Sequence, residues 1–120
     1  MIPCNKKLAT LSFVGGASKT LGFRIFNKGG SPIDVSNCTG HFAIIDCVNK
    51  YGKPIFDADM NPSEASDGGN IMFVNVPSER TVSLCGKYIY QITIRDDEEI
   101  EEPQQGDLYI YNNIDKDYLN

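Results

Sequence analysis

His41 is the single histidine of this 120-residue chain. A general base or triad histidine needs a nucleophile on one side and an orienting carboxylate on the other. His41 falls inside a stretch that reads as a strand, and the chain holds no nucleophile-elbow motif. A structural or surface histidine is expected, and no catalytic residue is assigned. Gly15-Gly16-Ala17-Ser18-Lys19-Thr20 has the glycines, lysine and hydroxyl of a phosphate loop. The Walker arrangement, however, sets Gly directly before Lys and a helix after it. Here Ser18 precedes Lys19 and a strand pattern follows, so the stretch is expected to be a turn.

Asp96, Asp97, Glu98, Glu99, Glu101 and Glu102 hold six of the sixteen acids. Hard cations want oxygens converging at fixed geometry, and an EF-hand loop has a set spacing with Gly at its turn. The run lacks that spacing and reads as a solvated tip, whose charge also opposes strand-to-strand aggregation. The ten acids left face eleven Lys and Arg, so the remaining surface is nearly neutral despite a net charge of −5. No basic stripe forms, which argues against nucleic acid as a partner.

Cys4, Cys38, Cys47 and Cys85 follow no CxxC or Cys/His spacing, so no metal site is assigned. Cys38 and Cys47 flank one expected strand, about 30 Å apart at about 3.3 Å per residue, and cannot pair with each other. Either could reach Cys85, but free thiols in a reducing compartment are the expectation. Asn37-Cys38-Thr39 matches the glycosylation sequon, and Asn61 is excluded by Pro62. Lys6-Lys7 before LATLSFVGGAS has the outline of a signal peptide, but Thr10, Ser12 and two glycines break its apolar part. Secretion is not expected, the sequon match reads as accidental, and no apolar run approaches the ~20 residues of a membrane span.

Tyr109 and Tyr111 alternate with Leu108 and Ile110, so the two pairs lie on opposite faces of a strand. If the leucine and isoleucine face the core, the tyrosines form a candidate protein-contact patch, because Tyr offers large area at low entropy cost. Packing against a neighbouring strand or the C-terminal tail is the competing account.

The elements that must carry these residues read as strands throughout. Tyr88, Tyr90, Ile92 and Ile94 share one face of a strand opened by Gly86, and a long acidic connection leads to the strand of Leu108 and Ile110. Before them come Leu8 to Phe13 (an edge strand), Thr20 to Asn27, the short piece Ile33 to Val35, Thr39 to Val48, Lys53 to Ala58 and Ile71 to Val76. Turn signals at 28–32, 49–52 and 77–81 separate them, and Met60 to Asn70 reads as irregular. Pro77 to Thr81 reads as a short helical turn, and no helical window of ten or more residues with a 3.6 period is apparent. Residues 1–120 form one domain with flexible termini at 1–7 and 115–120, consistent with an apolar fraction of 41%. Seven or eight short antiparallel strands indicate an all-β sandwich, immunoglobulin-like in architecture though lacking Trp and a core disulfide.

Four segments in order carry a family resemblance: LGFRIFNKGGSPIDVSN from Leu21, GGNIMFV from Gly68, PSERTVSLCGKYIYQITIRD from Pro77 and GDLYIYNNI from Gly106. Together they are similar to the immunoglobulin-like domains of phage tail and baseplate proteins. The matching positions are Pro32-Ile33-Asp34, then Leu84, Gly86, Tyr88 and Tyr90, then Gly106, Leu108 and Ile110. A Gly-Asp step common after the first strand in that family is Gly15-Gly16 here. The resemblance implies a non-catalytic structural protein of a phage or prophage virion, in its tail, baseplate or neck, working through protein–protein contacts. Its partners would be other virion proteins or further copies of itself, with no cofactor, small-molecule substrate, nucleic acid or membrane. Its place would be the virion or the cytoplasm of the bacterial host. The alternative is a secreted adhesin-like or carbohydrate-binding module using Tyr109, Tyr111 and Tyr118 as an aromatic platform.

Overall fold

The computed structural model describes residues 8–26, 30–48, 52–62, 69–96, 99–100 and 103–119. Among the described residues eight strands run in the order β1 (Leu11–Val14), β2 (Lys19–Arg24), β3 (Cys38–Asp46), β4 (Phe56–Pro62), β5 (Ile71–Val76), β6 (Gly86–Asp96), β7 (Glu99–Ile100) and β8 (Gln104–Tyr111). Short 3-10 turns at Ser78–Arg80 and Lys116–Leu119 are the described helical pieces. Residues 1–7, with Cys4 and the expected N-terminal tail, lie outside the described residues, as do 27–29 and 49–51, where parts of two expected turns fall, 63–68 of the expected irregular stretch, and 97–98 and 101–102 of the acidic run.

Hydrogen-bonded neighbours follow the path β1-β8-β6-β3-β4-β5-β2, with β7 paired to the end of β6. β4 folds this path into two layers. Its residues Phe56 to Met60 pair with β3, and Asn61 and Pro62 pair instead with Phe73 and Met72 of β5. Phe23 of β2 is thereby returned over the first sheet, its ring 6.1 Å from Phe42 of β3 and 5.6 Å from Tyr90 of β6. Such a path, with β2 on β5 and β6 between β3 and β8, gives an all-β immunoglobulin-like sandwich. Several features differ from expectation, among them Ile33 to Val35 and Lys53 to Ile55, which lie outside the strands. β1 pairs with β8 in parallel, Leu11 opposite Leu108 through Val14 opposite Tyr111, whereas the other six pairings are antiparallel. Met60 to Pro62, expected to be irregular, continue β4, because a strand changing sheets is bonded on one side only there and tolerates a proline.

Alternation decides the interior. Along β6, Tyr88, Tyr90, Ile92 and Ile94 are buried, and along β8, Gly106, Leu108 and Ile110. β3 contributes Cys38, Phe42 and Ile44, and β5 contributes Met72, Val74 and Val76. Gly86 opens β6 at φ 121°, a left-handed value that strains any residue with a Cβ. Leu84 packs partly buried against this core from the loop before it.

Tyr90 is the polar exception at the centre. It is fully buried, and its phenol donates to the Ala9 carbonyl. Desolvation, with Asp107 adding repulsion, pushes that phenol up to about 12. An unfolded tyrosine ionises near 10, so between pH ~10 and ~12 the unfolded chain releases a proton that the folded chain keeps. Stability is therefore full below pH ~10 and falls by up to about 1.4 kcal/mol per unit across that window, about 2–3 kcal/mol in all. Chemical denaturation at stepped alkaline pH should show this decline. A Tyr90→Phe variant should flatten it; an equally steep decline there would place its origin elsewhere.

Candidate functional site

The outward face of the larger sheet gathers three of the residues singled out from sequence, His41, Tyr109 and Tyr111. Strand parity puts Ser12 and Val14 of β1 there, with Tyr109 and Tyr111 of β8, Lys87, Ile89, Gln91 and Thr93 of β6, and His41, Ala43 and Ile45 of β3. Asp57 and Asp59 of β4 share it, as do Gln105 and Asp107 of β8, with Asp107 directly opposite Ile89.

Tyr109 and Tyr111 are 37% and 58% exposed, so Tyr111 stands largely open and Tyr109 is covered in part by its strand neighbours. Val14, half-exposed, is directly opposite Tyr111, and Ser12 is opposite Tyr109. On the other side Lys87 faces Tyr109 and places its ammonium 5.9 Å from the ring centroid. A cation over a ring face restrains both side chains and adds roughly 0.5–1 kcal/mol at an exposed site. The corner Val14–Tyr111–Tyr109–Lys87 is thus apolar at its centre and positively charged on one border. Sequence reasoning picked out the two tyrosines. It missed Val14 and Lys87, whose places depend on the parallel pairing of β1 and on the β6–β8 register.

Farther along the face the character turns polar. Gln105 Nε2 donates to Gln91 Oε1 at 2.8 Å, and Gln91 Nε2 donates to Thr93 Oγ1 at 3.3 Å. His41 Nε2 lies 2.9 Å from Asp57 Oδ2, with the two side chains 47% and 57% exposed. Thr93 is directly opposite His41, but its hydroxyl is engaged by Gln91. His41 and Asp57 form a surface pair, as a strand histidine with an outward side chain allows.

Other sequence candidates lie apart from this face. Gly15 and Gly16 form a turn between β1 and β2, where the Gly16 N–H donates to Thr81 Oγ1 at 2.9 Å and Asn113 Nδ2 donates to the Gly15 carbonyl at 2.8 Å. Thr81 is fully buried by this contact. The glycines are therefore packed against protein where a phosphate loop would present its backbone to a ligand. The acidic connection is not wholly a loop: Asp96 pairs with Glu99 and Arg95 with Ile100. Among the described residues no group of three His, Cys, Asp or Glu side chains is placed to hold a metal ion. Cys38 is buried, with its Sγ donating to the Asp34 carbonyl at 3.6 Å, while Cys47 is half-buried and Cys85 exposed. Asn37 is exposed in the turn before β3. Tyr118 is exposed on the 3-10 turn Lys116–Leu119.

Two further groups are electrostatically perturbed, each for a structural reason. Hydrogen bonds from Ser36 hold the Asp34 carboxyl below its ordinary value and fix the turn into β3. Burial pushes the Tyr88 phenol up, and its hydroxyl donates to the Cys85 carbonyl at 3.1 Å, tying the start of β6 to the loop before it.

No helix among the described residues is long and apolar enough to cross a membrane. No protein-family model matches the chain, and no curated protein matches it. Among solved structures, the crystal structure of the ZIG-8–RIG-5 IG1–IG1 heterodimer aligns over 90% of this chain and 85% of that one, at 11% identity and a TM-score of 0.47.

Proposed function

We propose that this chain is a non-catalytic binding module that docks on another protein through the Val14–Tyr111–Tyr109–Lys87 corner, and that it serves in a phage or prophage virion at the tail, baseplate or neck. The exposed aromatic pair carries the first half of this reading. Two tyrosines side by side, flanked by a valine and a lysine, offer apolar area with polar tips, and tyrosine is enriched at protein interfaces. The second half is supported by the four ordered sequence segments from Leu21 to Ile114. A Tyr111→Ala variant should weaken capture of a tail or baseplate protein by about five- to thirtyfold, since a truncated interface tyrosine costs on the order of 1–2 kcal/mol. Capture is measured by pull-down of purified tail and baseplate proteins. No capture by the unaltered chain would defeat the virion reading, and undiminished capture by Tyr111→Ala would move the contact to another surface.

A further inference from the structure

The centre of the same face, beside that corner, has the layout of a self-complementary surface. Ile89 of β6 and Ala43 and Ile45 of β3 point outward yet are half-buried, making an apolar strip across adjacent strands. Lys87 lies at one end of the strip, and Asp57 and Asp59 of β4 lie diagonally across it. In the strand register Ala43 and Ile45 stand midway between the lysine and the two aspartates. A twofold axis through that midpoint, lying along the face, would carry each copy's Lys87 onto the other's Asp57 and Asp59 and each Ile89 onto the other's Ala43. Isologous contacts have this property: one patch meets itself, with every pair made twice.

We propose that a second copy of this chain occupies this strip, giving a twofold dimer joined by Lys87 to Asp57 and Asp59 across the Ile89–Ala43–Ile45 centre. The dimer deepens the contact reading above by naming one partner and rests on this face being an interface. The strip spans three strands, about 14 Å by about 25 Å, which gives roughly 350 Å² a side and about 700 Å² for two copies, the size of a weak, concentration-dependent contact. Val14 and Tyr111 lie at the far corner of the sheet, outside the central strip, and stay open for a different protein, with Lys87 on the border of both contacts.

Reversal of the charges tests this directly. Lys87, Asp57 and Asp59 are all exposed, so their exchange leaves the core untouched. Sedimentation of the unaltered chain over a dilution series should show a monomer–dimer equilibrium that weakens with salt. Lys87→Glu alone and Asp57→Lys/Asp59→Lys alone should each weaken dimerisation by about tenfold or more, because each sets like charges against one another. An equimolar mixture of the two variants should dimerise again, since both charge contacts are then attractive. A monomer at every concentration, a dimer indifferent to Lys87→Glu, or a mixture that stays monomeric would each overturn the proposal. Tyr111→Ala should leave the dimer intact while losing tail-protein capture, so failure of the dimer and failure of the virion reading give different results.

Discussion

Phe42→Ala is expected to lower the unfolding free energy by about 3–5 kcal/mol, the range for emptying a buried phenylalanine site. Phe42 has no exposed surface, and its ring lies 5.9 Å from Tyr90, 6.1 Å from Phe23 and 6.3 Å from Phe56. These neighbours come from three other strands in both layers, so the cavity left by alanine has walls that cannot close without moving a sheet. A domain of this size has roughly 5–15 kcal/mol of stability, and the variant would lose a large share of it. Phe26, 45% exposed at the end of the β2 segment, is the matched control. Phe26→Ala should change stability by about 0.5 kcal/mol or less. Urea denaturation of both measures the contrast, and similar losses would contradict the packing described.

Gly106→Ala should cost about 3 kcal/mol for the opposite reason, too little space. A Cβ at Gly106 would stand 2.6 Å from Cε1, Cζ and Oη of Tyr90, inside van der Waals contact. The far end of a side chain can often swing aside. This ring cannot do so cheaply, because its hydroxyl is bonded to the Ala9 carbonyl and its face is packed against Phe42 and Phe23. Overpacking of a closed core typically costs 1–3 kcal/mol, and here the displaced phenol also forfeits a buried hydrogen bond worth about 1 kcal/mol. Tyr90→Leu should be destabilising alone yet largely suppress the Gly106→Ala loss, because it removes the atoms that the methyl would strike. The non-additivity of the pair, read from a double-mutant cycle, is the measurement. Strictly additive losses would show that the methyl is accommodated without touching the ring.

Where local pattern decided the structure, the sequence was readable. The alternation of Tyr88, Tyr90, Ile92 and Ile94 against Ile89, Gln91 and Thr93 located β6 and its inward face, and the same period separated Leu108 and Ile110 from Tyr109 and Tyr111. The signal failed where a strand depends on what lies beside it. Asn61 and Pro62 look like strand breakers, and they are strand residues because β5 pairs with them as β4 leaves the first sheet. The parallel partner of β1 was equally hidden, since it sits about a hundred residues away and no local feature encodes its direction. The candidate site divides in the same way. Tyr109 and Tyr111 could be seen from periodicity, but the company of Val14 and Lys87 comes from long-range register.

The parallel contact between β1 and β8 has a mechanical consequence. These strands lie near the two ends of the chain, run in the same direction and are bonded from Leu11–Leu108 to Val14–Tyr111, with Gly15 N–H to the Tyr111 carbonyl and Leu8 N–H to the Gln105 carbonyl extending the seam. Tension applied to the preceding and following segments would pull β1 backward and β8 forward along their common axis. The hydrogen bonds of the seam would then be loaded together, in shear, whereas an antiparallel hairpin pulled from its open ends unzips one bond at a time. A domain wired this way resists stretching through its terminal strands before any strand of the interior bears load.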